Sequence, residues 1–253
     1  MATIVSVHSF RGGTGKSNTT ANLAAIYAER GLRVGVLDTD IQSPGIHVLF
    51  GVDASNLDKS LNDYLWGLAE IEEAAIDVTG SLGRDVPGKV FLIPSRLDPT
   101  EIARILQEGF DVGLLNDGIH RLIERLHLDV VLVDTHPGVN EETLLSIAIS
   151  DGLAIVMRPD QQDYQGTAVT VDVARHLGVP NLQIIVNKAP ESFPPDELRR
   201  RVEDAYSSEV AGILPHSDDL MTLASSGVFS MRYPDHPLSD TYRQIASKFV
   251  PLE

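Results

Sequence analysis

A glycine-rich segment at residues 9–17 has the residue types that bind phosphate. Its sequence is Ser-Phe-Arg-Gly-Gly-Thr-Gly-Lys-Ser, and it lies between an apolar run at residues 3–8 and a helix-forming stretch. Glycines let backbone N–H groups turn inward around an anion, and the next helix N-terminus adds partial positive charge. Lys16 would reach the β- and γ-phosphates of a nucleotide, and the Ser17 hydroxyl would bind Mg²⁺. The segment predicts a phosphate site; the alternative is a turn that only joins strand to helix.

Carboxylates follow two further apolar runs. Asp38 and Asp40 follow the run at residues 33–37, and Asp134 follows the run at residues 129–133. Residues i and i+2 of a strand point the same way, and ligands bind at the carboxyl edge of open α/β sheets. A buried strand would hold Asp134 rigidly at this edge, where it can hold Mg²⁺ through a water. Taken alone, the Asp-Thr-Asp segment could also be a helix cap or a turn.

A parallel sheet is needed to bring these residues together. Short apolar runs rich in Val, Ile and Leu alternate with longer helix-like stretches, which is typical of βαβ units covered on both faces. We predict an α/β fold of the P-loop NTPase type, with a doubly wound, mostly parallel sheet of about seven or eight strands flanked by helices. The predicted strands are residues 3–8, 33–37, 90–94, 129–133, 152–157, 183–186 and 210–214, and the predicted helices are 16–30, 114–126, 141–149, 166–177, 195–205 and 239–249. We expect a single domain spanning residues 1–253.

Composition excludes several classes of function. The 20 Lys and Arg against 36 Asp and Glu give a net charge of −16, so DNA binding would need a local basic patch. There is no cysteine, which excludes disulfides, thiolate metal sites, cysteine nucleophiles and cysteine-ligated iron–sulfur clusters. Without a long apolar run or a signal-like N-terminus, we expect a cytoplasmic protein, and association with the nucleoid stays open.

Residues 11–17 resemble the phosphate loop of the ParA/MinD superfamily of deviant Walker A ATPases. That loop is Lys-Gly-Gly-x-x-Lys-Ser/Thr, and this chain departs from it at Arg11, which replaces the family's first lysine. The chain also has Phe10 where the general Walker A motif has glycine. The resemblance covers most of the chain and implies ATP and Mg²⁺ as cofactors. The loop residues it implies around ATP are Gly12, Gly13, Thr14, Gly15, Lys16, Ser17 and Asn18.

The resemblance also implies roles for the acidic residues and for Arg11. Asp40 would position or activate the attacking water, and Asp38, Asp134 and Ser17 would hold or support Mg²⁺. In the family the first lysine reaches across a face-to-face dimer to the partner's ATP, so Arg11 would be catalytic together with Lys16 and Asp40. A planar guanidinium does not replace an ammonium conservatively.

Three further positions follow from the resemblance. The segment at residues 134–138 is similar to the family's switch II, whose Gly138 amide would sense the γ-phosphate. Asn187, after an apolar run, would hydrogen-bond the adenine edge, and Pro215 would line the base. Within switch II, we expect His136 to face solvent or a partner.

Arg158 follows the predicted strand at residues 152–157. It could supply the cation that acts across the dimer, although we favour an ordinary salt bridge to Asp160 or Asp163.

Family members form ATP-dependent homodimers on a surface, and an adaptor protein stimulates hydrolysis. The surface is DNA in the ParA branch and membrane in the MinD branch. Residues 242–253 indicate a last core helix and not a membrane anchor, so membrane is less favoured. Arg199, Arg200 and Arg201 form a candidate DNA patch, but their acidic neighbours favour a solvated helix face. We lean towards non-specific DNA, and a purely protein cargo remains open.

The leading hypothesis is a dimerising ATPase switch that hydrolyses ATP to position or partition a plasmid, a chromosome or a protein assembly. The alternatives are a MinD-like membrane-associated regulator of division-site or polar placement, and a nucleotide-binding regulator that hydrolyses slowly or not at all. Electron donors and iron–sulfur carriers of the same superfamily need cysteines, which this chain lacks. Amidoligase-type relatives would need a substrate pocket that the sequence does not identify.

Overall fold

Eight strands form one sheet in the computed structural model, which describes residues 2–109 and 111–251. The strands are β1 (Thr3–His8), β2 (Arg33–Asp38), β3 (Ile76–Asp77), β4 (Lys89–Ile93), β5 (Val130–Asp134), β6 (Gly152–Met157), β7 (Asn181–Ala189) and β8 (Glu209–Pro215). Their order across the sheet is β3-β4-β2-β5-β1-β6-β7-β8, and every pair is parallel except β3 with β4. The prediction of a mostly parallel, doubly wound α/β fold is confirmed.

Helices cover both faces of the sheet. The longer helices are α1 (Lys16–Glu29), α4 (Pro99–Glu108), α5 (Val112–Leu126), α6 (Glu141–Ala148), α7 (Gln161–His176), α8 (Pro195–Tyr206) and α11 (Pro237–Phe249). Short helices are α2 (Ile46–Leu49), α3 (Leu61–Leu65), α9 (Asp218–Leu223) and α10 (Phe229–Arg232), with 3₁₀ turns at Ala54–Asn56, Ile71–Ala74 and Thr79–Leu82. Helix α7 begins at Gln161, five residues before the predicted start, because Asp160 caps it with hydrogen bonds from the amides of Gln162 and Asp163.

The centre of the sheet positions the predicted acidic residues. Strand β5 lies between β1 and β2, and Asp38 and Asp134 are neighbours in the β2–β5 register. Residues of β5 are buried on both faces, as its unbroken apolar run predicts. The phosphate loop leaves β1 at the same carboxyl edge. Three adjacent strands therefore deliver the loop and both carboxylates to one place.

The C-terminal helix belongs to the core. Tyr242, Ile245 and Phe249 on α11 are buried, and the Tyr27 hydroxyl on α1 donates a 3.0 Å hydrogen bond to the Ala246 carbonyl. The prediction that this segment is a core helix is confirmed through Phe249, whereas Leu252 and Glu253 lie outside the described residues. In the described ranges, no helix combines the length and the apolar character needed to cross a membrane.

Candidate functional site

The phosphate loop begins helix α1 without a side-chain cap. Gly13 and Gly15 have left-handed backbones, with φ of 75° and 98°, and Gly15 is the residue that precedes the helix. The first N–H groups of a helix lack backbone partners within it, and no side chain supplies a cap here. Uncapped N–H groups at a helix N-terminus attract anions. The local geometry therefore fits a phosphate group.

Lys16 is buried among three carboxylates. Its Nζ lies 3.3 Å from Asp134 Oδ1 and 3.7 Å from Asp40 Oδ2, and the residue is only 6% exposed. Burial by itself would lower the pKa of Lys16, but the charges of Asp134, Asp40 and Asp38 outweigh it and raise the pKa. Lys16 is therefore a firmly charged ammonium that holds the acidic residues together.

Asp38 is fully buried beside Asp134. Burial and the charge of Asp134 raise the pKa of Asp38 well above its usual value, although Lys16 opposes this shift. Its Oδ1 accepts a 3.2 Å hydrogen bond from the Asp40 amide, while Oδ2 is buried without a partner. A buried carboxylate oxygen without a donor suits a cation or its bound water.

We expect Asp38→Asn to stabilise the nucleotide-free protein at neutral pH. Folding raises the pKa of this acid, so the folded protein holds the proton more tightly than the unfolded chain does. As pH rises from the unfolded-state pKa to the folded-state pKa, the free energy of unfolding therefore falls. The variant should melt about 3–6 °C higher at pH 7, and its advantage should shrink towards pH 4. Thermal melting of both proteins without nucleotide and Mg²⁺ measures this difference. A constant difference at all pH values would contradict the buried-charge explanation.

Asp40 lies at the mouth of the cluster, where three donors hold one of its oxygens. Oδ1 is 2.6 Å from His136 Nδ1, and it accepts hydrogen bonds from Ser43 Oγ at 3.0 Å and from the Ser43 amide at 3.2 Å. Burial opposes ionisation, but the His136 hydrogen bond and the Lys16 charge lower the pKa of Asp40. Asp40 is therefore an oriented carboxylate at neutral pH.

The prediction that His136 faces solvent is wrong, and the alternative that it faces a partner stays a prediction. Its side chain is 19% exposed and turned inward, where Nδ1 contacts the Asp40 carboxylate. The sequence also gave no role to His8, which is fully buried at the end of β1 with Nδ1 2.7 Å from Thr135 Oγ1. Burial, assisted by the Lys16 charge, lowers the pKa of His8 to about 3, so this ring is neutral.

Arg11 points back onto its own chain. Its Nε lies 2.8 Å from Asp163 Oδ1, another nitrogen lies 3.3 Å from Asp160 Oδ2, and it also contacts Gln162. Arg158 contacts the same two carboxylates at 3.3 and 3.5 Å, which confirms its predicted salt bridge. Both cations considered for action across a dimer are thus tied to the start of α7.

Two contacts connect the phosphate loop to the segment after β5, through Gly138, and to helix α7, through Phe10. The Gly138 amide, expected to sense the γ-phosphate, donates a 3.1 Å hydrogen bond to the Ser9 carbonyl. The Phe10 ring lies against Gly166 of α7, where an added Cβ would come within 2.0 Å of the ring. Phe10, which departs from the general motif, thus fills a space that a glycine on α7 provides.

A cleft of about 510 Å³ extends from the loop towards α9. It contains the predicted residues Gly12, Gly13, Gly15, Lys16, Ser17, Asn18, Asp40 and Asn187. Thr14 is buried, and Pro215, the last residue of β8, is exposed; neither residue lines the cleft. The sequence missed Lys188, which lies beside the loop, and the residues that line the cleft near α9, which are Leu220, Met221, Ala224 and Ser225.

The candidate DNA patch is largely used within the fold. Arg199 bonds the Val210 carbonyl and pairs with Glu203, while the Arg201 guanidinium lies 5.1 Å from the centre of the Tyr164 ring. Arg200 bonds the Asp196 carbonyl at 3.3 Å on an exposed part of α8. The three arginines therefore do not project together as one basic surface.

Comparison with known proteins identifies the family. The family model described as the CobQ/CobB/MinD/ParA nucleotide binding domain matches residues 5–230. The chain belongs to this CobQ/CobB/MinD/ParA family. The phosphate loop, Asp40 and Asp134 all lie within the matched region.

Proteins with similar sequences have different names. An uncharacterized ATP-binding protein of Methanocaldococcus jannaschii is 29% identical over 252 residues, which is 99% of this chain and 88% of that protein. An iron-sulfur cluster carrier protein of Methanococcus maripaludis is 33% identical over 186 residues, which is 72% of this chain and 59% of that protein.

The fold is that of a solved CobQ/CobB/MinD/ParA family member. The septum site-determining protein MinD of Pyrococcus horikoshii, solved with Mg-ADP, has a TM-score of 0.79 at 22% identity. The match covers 98% of this chain and 96% of that one.

The residues of the cleft fit the nucleotide and Mg²⁺ that the family implies. The uncapped α1 N-terminus and Lys16 suit phosphates, and the unpartnered Asp38 oxygen suits Mg²⁺ or its water. Among the described residues, no three His, Cys, Asp or Glu side chains converge as a ready-made metal site. Mg²⁺ held by Ser17, Asp38 and Asp134 would therefore also depend on phosphate and water oxygens.

Proposed function

We propose that the protein is a Mg²⁺-dependent ATPase that acts as a dimerising switch and positions or partitions an intracellular cargo with an adaptor protein. The observation that carries this proposal is Lys16 at the start of α1, held between Asp40 and Asp134. A phosphate loop with two oriented carboxylates has the groups needed to bind phosphates, hold Mg²⁺ and orient water. Mg²⁺ would neutralise charge on the transferred phosphate.

We assign each residue of the site a role in ATP hydrolysis from its position. Lys16 and the α1 N-terminus would bind the phosphates, and Asp134, fixed by a 3.0 Å hydrogen bond from Thr20 Oγ1, would hold the metal's water. Asp40 would orient the attacking water. The lowered pKa of Asp40, due to His136 and Lys16 acting against burial, favours orientation over removal of a proton.

Phosphate release from ATP tests the proposal. We expect Mg²⁺-dependent turnover in the wild type and its loss in Lys16→Ala and in Asp40→Ala. Equal residual activity in all three proteins would contradict it. We do not propose that this protein carries iron–sulfur clusters, as the name of one relative says of that protein. Such clusters are held mainly by cysteine thiolates, and this chain has no cysteine.

The tethered Arg11 supports a second candidate, a regulator that hydrolyses slowly or not at all. Arg11 must leave Asp160 and Asp163 before it can reach a partner's ATP, so a protein that keeps these contacts would bind nucleotide and turn over little. A wild type that binds ATP tightly and releases no phosphate would favour this candidate.

Mixing two inactive variants tests whether Arg11 acts across a dimer. We expect Arg11→Ala to lower turnover by about 10³-fold, the lower end for an arginine that stabilises phosphoryl transfer. Adding Lys16→Ala protein, which retains Arg11 but lacks its own phosphate lysine, should restore activity to the Arg11→Ala subunit. Arg158→Ala is the matched control and should lose less than tenfold. No restoration on mixing would contradict action across the dimer.

We propose nucleoid DNA in the cytoplasm as the surface on which the dimer assembles, in preference to membrane, because α11 is packed into the core. Since Arg199, Arg200 and Arg201 do not form one basic surface in the fold, the DNA contacts would have to come from other cations or from the pairing of two subunits. Retention of ATP-loaded Asp40→Ala protein on DNA should fall steeply as salt rises. A dimer without retention, seen by light scattering, would favour a membrane or a protein surface.

A further inference from the structure

We propose that Asn187 and Lys188 are positioning residues that hold the phosphate loop in its anion-binding shape. We call the pair the β7 clamp. This differs from the expectation that Asn187 binds the edge of the base. The inference rests on the proposed nucleotide site and adds the means by which the loop is kept ready for phosphate.

The β7 clamp contacts two consecutive carbonyls of the loop. Asn187 Nδ2 donates a 2.7 Å hydrogen bond to the Thr14 carbonyl, and Lys188 Nζ donates one of 2.8 Å to the Gly13 carbonyl. The C=O and N–H of a trans peptide unit point in opposite directions. Holding these carbonyls towards β7 therefore directs the N–H groups of Thr14 and Gly15 away from it, as an anion enclosed by the loop requires.

The sheet positions the β7 clamp through an irregularity. Val186 pairs with Ile213 and Ala189 with Pro215, so β7 has two residues between these pairs where β8 has one. Such a bulge redirects side chains, and it does so here at the positions of Asn187 and Lys188. Lys188 also has a left-handed backbone, with φ of 55°, which side chains disfavour.

Asn187 has little capacity left to bind a base. It is 3% exposed, and its Oδ1 accepts a 2.8 Å hydrogen bond from the Lys188 amide while Nδ2 bonds Thr14. A Cβ added to Gly15 would come within 2.1 Å of Nδ2, so the amide occupies the space left by this glycine. The side chain is thus packed between β7 and the loop, and the exposed Met221 lies farther along the cleft.

Binding of inorganic tripolyphosphate, which has no base, tests the β7 clamp. We expect Asn187→Ala to weaken tripolyphosphate and ATP by the same factor, about five- to tenfold for one lost hydrogen bond. Asn187→Ala removes no charge, so the loss cannot arise from weaker long-range attraction of the anion. Titration calorimetry measures both affinities. Unchanged tripolyphosphate binding with weakened ATP binding would overturn the proposal, as would a wild type that does not bind tripolyphosphate.

Lys188 provides a second test in case Asn187→Ala fails to fold. Lys188→Met should weaken tripolyphosphate binding and Lys188→Arg, which keeps a donor, should restore it. Lys89→Met is the matched control, because Lys89 lies at the start of β4 and its ammonium bonds Asp77 of β3, and this variant should bind tripolyphosphate as the wild type does. Equal tripolyphosphate affinity in Lys188→Met and the wild type would overturn the role of Lys188.

Hydrogen exchange provides a readout that a general loss of stability would not reproduce. With tripolyphosphate bound, the clamp variants should protect the amides of residues 13–16 from exchange less than the wild type does, while the amides of β1 and β5 stay protected in every protein. Unchanged exchange in the loop would overturn the proposal. A wild type that binds tripolyphosphate but does not hydrolyse ATP would refute the proposed function. The β7 clamp would then be tested by the tripolyphosphate affinities of its variants alone.

Discussion

Lys16→Met is expected to abolish ATP turnover and to lower the free energy of unfolding of the nucleotide-free protein by about 3–5 kcal/mol. The variant keeps the side-chain length but removes the one charge that lies 3.3 Å from Asp134 and 3.7 Å from Asp40. Breaking a buried ion pair leaves uncompensated charge, which costs more than the pair itself contributes. Phosphate release and urea unfolding at pH 7 measure the two effects.

Two comparisons isolate the buried charge in this experiment. Lys89→Met removes an ammonium from an exposed pair with Asp77 and should change stability by less than about 1 kcal/mol. The defect of Lys16→Met should also shrink as pH falls, because protonation of the remaining carboxylates relieves their repulsion. A Lys16→Met protein as stable as the wild type at pH 7 would show that Lys16 does not hold this cluster together.

Asp40→Asn should lower turnover by about 10²–10⁴-fold and leave ATP affinity within a fewfold of the wild type. An amide has the size of the carboxylate but no negative charge with which to orient water and balance Lys16. Since interactions with Lys16 and His136 lower the pKa of Asp40 against the effect of burial, the wild-type rate should not decline between pH 7 and 5 from titration of this group. Single-turnover rates and binding titrations separate the two effects.

Ser43→Ala is the matched control for Asp40→Asn. It removes one of the three donors to Asp40 Oδ1 and keeps the carboxylate, so it should cost less than tenfold in rate. A loss in Asp40→Asn no larger than in Ser43→Ala would assign the orientation of water to another group.

The sequence predicted the central strands well because buried parallel strands are unbroken apolar runs. All seven predicted strands are present with small shifts at their ends, of which the largest extends β7 to Ala189. Strand β3 was missed because it has two residues and pairs antiparallel at an edge. Helix α4 was missed although Asp98 Oδ1 accepts hydrogen bonds from the amides of Thr100 and Glu101 at its start. The single-domain prediction stays a prediction.

The site was predictable where local motifs determine position. Four predicted residues lie close together because each one follows or ends a strand at the same edge of the sheet; they are Lys16, Asp38, Asp40 and Asp134. Contacts between distant segments were not predictable in this way. No local pattern places Arg11 on Asp163, 152 residues later, or Asn187 on the Thr14 carbonyl, because these pairings depend on how helices and bulges are packed.

The position of β1 inside the sheet has a consequence for how the protein is made. Thr3 pairs with Val130 on one side, and Val5 pairs with Gly152 on the other, so β1 lies between two strands that are synthesised more than 120 residues after it. Contacts of such long sequence separation form slowly, and emerging segments without partners are prone to aggregate. During translation the phosphate loop stays without its carboxylate partner on β5 until that strand has left the ribosome. The early strands of this chain therefore stay exposed to aggregation until β5 and β6 have been synthesised.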